Sequence, residues 1–247
     1  MTLKDFFAQN PEVALGFSGG VDSSYLLYAA SQYAQRVGAY YVKTAFQPAF
    51  EWRDAQKIAA QLGVALTPLE LDILAVPCVK ENREDRCYHC KKAIFSAIYK
   101  QALQDGFPIM IDGTNSSDVE SDRPGMRALR QLNVRSPLRE CGLTKEEIRS
   151  LSRQAGLFTW EKPAYACLAT RIPTGTAIEA SMLSRVEKAE EILYAMGFRD
   201  FRVRVLSEVA RLQLKAAQLP MAIEMRQELQ KRLEGQFGEI VLDLKTR

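Results

Sequence analysis

Glu12-Val13-Ala14-Leu15-Gly16-Phe17-Ser18-Gly19-Gly20-Val21-Asp22-Ser23-Ser24 is the stretch on which the reading of this chain turns. Its first six residues form an apolar run of strand length, its middle is a glycine turn, and apolar residues recur at helical spacing from Tyr25 to Tyr33. Glycines let a backbone approach an anion closely, and a helix start offers free N–H groups at the positive end of its dipole. Ser18, Ser23 and Ser24 add hydroxyl donors, and Asp22 is placed to cap the helix or to help hold Mg²⁺. Gly19, Gly20 and Val21 complete a strand–turn–helix phosphate loop. The loop lacks the lysine of Gly-x4-Gly-Lys-Ser/Thr, so transfer of a γ-phosphate is not the expected reaction. An ordinary glycine-rich turn is the bland alternative, and the full Ser-Gly-Gly-x-Asp-Ser-Ser run in this context argues against it.

Outward from the loop, apolar runs alternate with helical patterns. Strands are expected at residues 39–45, 64–71 and 108–111, and helices at 52–62 and 90–103. This alternation predicts an α/β fold, a parallel sheet with helices on both faces. Ligands of such sheets bind beyond the carboxyl ends of the strands, where Ser18, Thr44 and Asp112 fall. Thr144-Lys145-Glu146-Glu147 is a capping box that opens a helix through Arg153. Residues 157–176 are irregular and mark the crossing into a small α+β C-terminal domain. That domain reads as helix 180–196, strands 201–206 and 209–214, helix 221–233 and strand 239–244. The expected domains are therefore 1–160 and 161–247.

The chain has 247 residues, 47% apolar content, 26% charge and a formal net charge of +3. This is enough to bury a sizeable core, and the small net charge does not itself imply a nucleic-acid partner. No apolar run is long enough to span a membrane, and the start, Met-Thr-Leu-Lys-Asp-Phe-Phe, does not read as a secretory signal, so a cytoplasmic protein is expected. A single histidine, His89, nearly excludes chemistry built on a Ser-His-Asp triad or several His ligands. Five cysteines in a reducing compartment point to metal, catalysis or burial rather than disulfides. Cys87-Tyr88-His89-Cys90 opens a helix and Cys167 lies in Tyr165-Ala166-Cys167-Leu168-Ala169-Thr170-Arg171. A Cys-x-x-Cys pair with a distant third thiol suits a [4Fe–4S] cluster with one open iron. Zinc and a redox dithiol remain alternatives. Cys78 and Cys141 read as buried structural thiols. Arg202, Arg204 and Arg211, on adjacent strands, suit a phosphate group, against the alternative of a solvated strand face. Asp112 and Asn115 are placed to contact ribose, and Mg²⁺ could be reached through Asp118 and Asp122. The alternative is a loop of turn formers.

The loop resembles the PP-loop of the ATP-pyrophosphatases, which bind the pyrophosphate of ATP and release it as a substrate is adenylated. With it, Arg86 to Lys92, Asp112 to Asn115, Arg123-Pro124-Gly125, Ser136-Pro137-Leu138 and Lys162-Pro163-Ala164-Tyr165-Ala166-Cys167-Leu168-Ala169-Thr170-Arg171 resemble the LarE family of sulfur transferases. So do Phe201 to Arg204 and Ala210-Arg211-Leu212. The resemblance implies a small-molecule substrate, pyridinium-3,5-biscarboxylic acid mononucleotide, whose carboxylate is adenylated by ATP with Mg²⁺. Sulfur then replaces AMP, on the way to the nickel-pincer cofactor of lactate racemase. In one branch the sulfur comes from a single sacrificed cysteine, matching Cys167. In the other, three cysteines hold a [4Fe–4S] cluster carrying an extra sulfide, matching Cys87, Cys90 and Cys167. It further implies a homo-oligomer, a hexamer in the first branch. The family usually has an acid two residues after the match to Arg211, where this chain has Gln213. A tRNA thiolase of the same superfamily, a non-catalytic nucleotide- or iron-sensing module and an ammonia-fed ligase are the competing readings. The low net charge and the lack of an appended zinc-ribbon spacing argue against the first, and the three cysteines against the last.

Overall fold

The computed structural model describes residues 1–118 and 124–247, so Asp122 and Arg123 lie outside the described residues. The strands are β1 (Glu12–Gly16), β2 (Arg36–Lys43), β3 (Leu66–Glu70), β4 (Ile109–Ile111), β5 (Arg202–Leu206), β6 (Val209–Gln213) and β7 (Glu239–Leu242). The helices are α1 (Leu3–Gln9), α2 (Val21–Tyr33), α3 (Ala49–Leu62), α4 (Pro77–Lys80), α5 (Arg86–Gln104) and α6 (Pro124–Gln131), then α7 (Pro137–Glu140), α8 (Lys145–Gln154), α9 (Ala180–Ala195), α10 (Leu219–Glu224) and α11 (Arg226–Leu233). The chain forms two compact units, Met1–Val76 with Asp85–Ala164, and Pro77–Glu84 with Tyr165–Arg247.

The first unit is α/β. Its sheet runs β3-β2-β1-β4 with every pairing parallel, as the alternation of strands and helices requires. Successive side chains of a strand point to opposite faces, and here both faces are covered. Val13 and Leu15 of β1 join a core with Phe6, Leu26, Leu27, Ile58 and Ile148. Ala14 joins a second core with Tyr40, Val42, Phe95, Ile98 and Met126. Gly16 ends β1 where α5 presses closest, and a Cβ there would stand 2.9 Å from the Phe95 ring.

The expected capping box is formed, with Thr144 accepting from the Glu147 N–H and Glu147 accepting from the Thr144 N–H. A second one, Thr2 with Asp5, opens α1, which the sequence reading did not mark as a helix. α5 begins four residues earlier than expected, because Arg86 and Tyr88 extend its buried side before the apolar period starts. The expected helix 221–233 breaks at Met225 into α10 and α11.

In the second unit β5 pairs antiparallel with β6, which pairs in parallel with β7. Val203, Val205, Ala210 and Leu212 are buried, while arginines alternate with them on the opposite face. The short excursion 77–84 is stitched in by Asn82, which is buried at φ +56°. Its side-chain amide donates to the Ile172 and Pro173 carbonyls at 3.4 and 2.8 Å, and its own carbonyl accepts from the Gly175 N–H at 2.9 Å. Asn is among the few residues that adopt this left-handed conformation readily.

Leu15 is fully buried at the centre of the first sheet, so Leu15→Ala should destabilise the protein by about 2–5 kcal/mol. Denaturant unfolding checks this, and a loss below about 1 kcal/mol would contradict the placement of β1 between two cores.

Candidate functional site

β1 delivers the chain to the carboxyl edge of the sheet, where the Phe17 N–H still bonds the Tyr40 carbonyl at 2.9 Å. The backbone then turns through Gly19 at φ +71°, a conformation that glycine adopts without strain. A Cβ at Gly19 would lie 3.1 Å from Ala55, so the turn is packed as well as bent. α2 starts on Gly20, with no side-chain cap. Asp22 therefore does not cap the helix, and the first-turn N–H groups are left for another acceptor. Ser18 Oγ and Ser23 Oγ stand 3.0 Å apart, and Ser23 Oγ donates to the Gly20 carbonyl at 3.2 Å. Ser24 Oγ is buried and has no hydrogen-bond partner among the described residues.

A cavity of about 310 Å³ opens over this turn. Ser18, Gly20, Asp22 and Ser23 line one end, Tyr41, Val42 and Gln47 another, and Lys91 and Phe95 of α5 a side. The end of β4 closes it with Asp112, Gly113, Thr114 and Asp118. Gly113 lies so close to the loop that a Cβ would meet Ser23 N at 2.9 Å. Thr44 and Asn115 do not line the cavity. Thr44 instead fixes Gln47, whose Oε1 accepts from the Thr44 hydroxyl at 2.7 Å and from its N–H at 3.1 Å. Asn115 is buried and holds its own turn, accepting from the Ser117 N–H at 2.8 Å. Asp112 has both oxygens engaged, one accepting from the Thr114 hydroxyl at 2.5 Å and the other from the Ser136 hydroxyl at 2.6 Å. Asp118 Oδ2 accepts from the Asn115 N–H at 3.1 Å. Both carboxylates thus shape the loop.

Lys91 lines the cavity itself, and two further lysines that the sequence reading did not assign stand beside the loop. Lys145 Nζ, on the first residue of α8, lies 2.5 Å from Asp22 Oδ2. The other Asp22 oxygen is buried with no hydrogen-bond partner among the described residues, which fits a hard cation such as Mg²⁺. Among the described residues no three His, Cys, Asp or Glu side chains gather as a metal-holding set. Phosphate oxygens and water would then supply the remaining ligands, as Mg²⁺ usually accepts. Lys162 Nζ pairs with Asp54 at 2.6 Å and reaches the Gly19 carbonyl at 3.4 Å. A phosphate loop without its own lysine is the signal that should prompt a search for such cations.

The second unit concentrates positive charge. Arg204 and Arg211 face each other directly across β5 and β6, an arrangement of like charges that costs stability unless an anion intervenes. Burial, with Arg171 and Arg247 nearby, pulls Arg202 down to about 10. Burial and the Arg211 charge also lower Arg204. Arg211 lies 3.5 Å from Asp243, an ion pair without hydrogen-bond geometry, so its buried Nε has no hydrogen-bond acceptor among the described residues. Gln213 accepts from Arg204 Nε at 3.1 Å.

Arg171 is fully buried and bidentate on Glu190, at 2.8 and 3.0 Å. Glu190 also accepts from the Tyr165 hydroxyl at 2.6 Å and the Val203 N–H at 3.0 Å. Arg171 donates to the Ala166 carbonyl at 2.7 Å, so this group braces the turn carrying Cys167 against β5. Cys87 and Cys90 sit in the first turn of α5, the former exposed, with Arg86 Nη2 3.8 Å from the Cys87 sulfur. His89 is taken up by Asp85 at 3.0 Å. Cys87 and Cys90 belong to the first unit and Cys167 to the second. Cys78 and Cys141 are half-buried rather than buried, and Cys141 packs against the core that holds Leu15.

No family model matches the chain. It is 35% identical over 225 residues to an uncharacterized protein of Synechocystis sp., covering 90% of this chain and 83% of that one. It is 30% identical over 235 residues to the pyridinium-3,5-bisthiocarboxylic acid mononucleotide synthase of Lactiplantibacillus plantarum, covering 94% of this chain and 85% of that one. An uncharacterized protein of Methanocaldococcus jannaschii is 26% identical over 98% of this chain and 92% of its own length.

If the opposed arginines await an anion, Arg204→Met should cost the protein little stability without one, the relieved repulsion offsetting the lost hydrogen bonds to Gln213 and the Thr170 carbonyl. Thermal unfolding without added anion measures this. A loss of more than about 1 kcal/mol would identify Arg204 as a structural residue instead.

Proposed function

The chain belongs to the LarE family, and we propose that it is an ATP-dependent sulfur transferase acting on pyridinium-3,5-biscarboxylic acid mononucleotide. The observation that carries the reading is the cavity over a phosphate loop that lacks a Walker lysine, in a chain related along nearly its whole length to the synthase from L. plantarum. A carboxylate is a poor electrophile, and adenylation supplies the leaving group. A substrate carboxylate oxygen attacks the α-phosphorus of ATP, the bond to the β-phosphate oxygen breaks, and pyrophosphate leaves. Sulfur then attacks the activated carbonyl, AMP departs, and a thiocarboxylate remains. Ser18 to Ser24 would hold the departing pyrophosphate, with hydroxyl and N–H donors already in position and little reorganisation required. Asp22 would hold Mg²⁺, which neutralises phosphate charge when bound. Thr44 and Asn115 would act by holding the cavity's shape. Arg202, Arg204 and Arg211 would grip the phosphate of the mononucleotide.

For the sulfur we take the route through Cys87, Cys90 and Cys167 as ligands of a [4Fe–4S] cluster, which when bound would supply an exchangeable sulfide. The Cys-x-x-Cys spacing on one helical turn supports it, since a single sacrificed Cys167 would need neither Cys87 nor Cys90. We also propose the product's use in a nickel-pincer cofactor such as that of lactate racemase, a homo-oligomeric assembly and a cytoplasmic location. The described residues include no helix long and apolar enough to cross a membrane.

Incubation with ATP and the biscarboxylic mononucleotide should yield AMP and pyrophosphate, and Ser18→Ala should lower that rate by about 10²–10³-fold. Detecting ADP and inorganic phosphate instead would sink the reading. The sulfur route is tested by Cys87→Ala, which should abolish repeated turnover and the brown chromophore of anaerobically prepared protein. An active Cys87→Ala variant whose Cys167 becomes dehydroalanine, seen by intact mass, would establish the single-use reaction.

A further inference from the structure

Two lysines stand beside the phosphate loop, and they are held differently. Lys162 is only 13% exposed in its side chain, pairs with Asp54, bonds the Gly19 carbonyl and lies 5.2 Å from the centre of the Phe50 ring. It is a fixed brace. Lys145 is 33% exposed in its side chain, and among the described residues its ammonium is bonded to Asp22 Oδ2 alone. Its backbone is anchored, because the Lys145 N–H donates to Ser117 Oγ at 3.0 Å next to the Thr144 capping box. A four-carbon stem on an anchored Cα can swing its charge without moving the helix.

Asp22 poses a problem for the loop it belongs to. A carboxylate among donors meant for an anion repels that anion unless its charge is compensated. Lys145 compensates it, while the second Asp22 oxygen is buried with no hydrogen-bond partner among the described residues. We infer that Lys145 and Asp22 form an exchangeable counterion pair: the lysine transfers to the pyrophosphate portion of the nucleotide and the aspartate is left for the metal. The loop thus borrows from α8 the cation that its own sequence lacks. The inference rests on the reading of the loop as a nucleotide site and assigns Lys145 as its phosphate-binding residue.

The test uses the full chain with a chelator present and no Mg²⁺, inorganic pyrophosphate as the probe, and adenosine as the control, read by calorimetry. Lys145→Gln should weaken pyrophosphate binding by about tenfold or more, the size of one charge-assisted hydrogen bond, with adenosine binding unchanged. Lys145→Arg should retain most of the affinity. Asp22→Asn should tighten metal-free pyrophosphate, because it both frees the lysine and removes the repelling charge. The gain should vanish in the Asp22→Asn/Lys145→Gln double variant. If both single substitutions weaken pyrophosphate and adenosine alike, the pair is a clasp between α8 and the loop and the inference is overturned. Unchanged pyrophosphate binding in Lys145→Gln overturns it equally. Release of ADP and inorganic phosphate by the wild-type chain would refute the adenylation reading while leaving the opposite shifts as support for the exchange.

Discussion

β1 is buried on both faces, and much of the first unit follows from that confinement. Val13 and Leu15 are locked into one core and Ala14 into the other, so the strand can neither rotate nor slide without emptying a packed site. Its last residue must then leave over the carboxyl edge of the sheet. There Ala55 crowds the turn at Gly19, and Gly113 crowds it at Ser23. The turn is therefore packed tightly on two sides, which limits how far its backbone can shift.

The two units handle charge in opposite ways. Around the loop Asp22 is paired with Lys145 and Asp54 with Lys162, and the cavity lining also carries Asp112, Asp118 and Lys91. On the face of β5 and β6 such pairing is largely missing. Arg202 and Arg204 have no carboxylate within ion-pair distance among the described residues, and Arg204 opposes Arg211.

Between the cationic face and the turn carrying Cys167 lies the Arg171–Glu190 pair. Taking two charges out of water is costly, and the cost is offset only where the remaining hydrogen-bonding capacity is satisfied. Here Glu190 gathers Arg171, Tyr165 and the Val203 N–H, and Arg171 also bonds the Ala166 carbonyl. The result is a fixed relation between the cysteine turn and the arginine-bearing strand. Removing either partner would strand a buried charge.

The strand–glycine turn–helix at residues 12–33, the parallel sheet and the α8 capping box were legible in the sequence because each is a local pattern: a glycine turn after an apolar run, alternating periods, and a hydroxyl three residues before a carboxylate. The arginine alternation on β5 and β6 was legible for the same reason, since a period of two places every second residue on one face. Helix boundaries were less so, as at Met225, where no proline or glycine announces the break between α10 and α11. What the sequence could not settle is which distant side chains meet. Lys145 reads as the second residue of a capping motif, and only the packing of α8 against α2 brings its ammonium to Asp22, 123 residues away in the chain. Asp112 reads as a free carboxylate at a strand end, yet Ser136 and Thr114 occupy both its oxygens. Local spacing determined the elements and the chemistry they carry. Pairing between residues far apart in the chain arises only when the core closes, and that closure decided which of those groups remain open to a ligand.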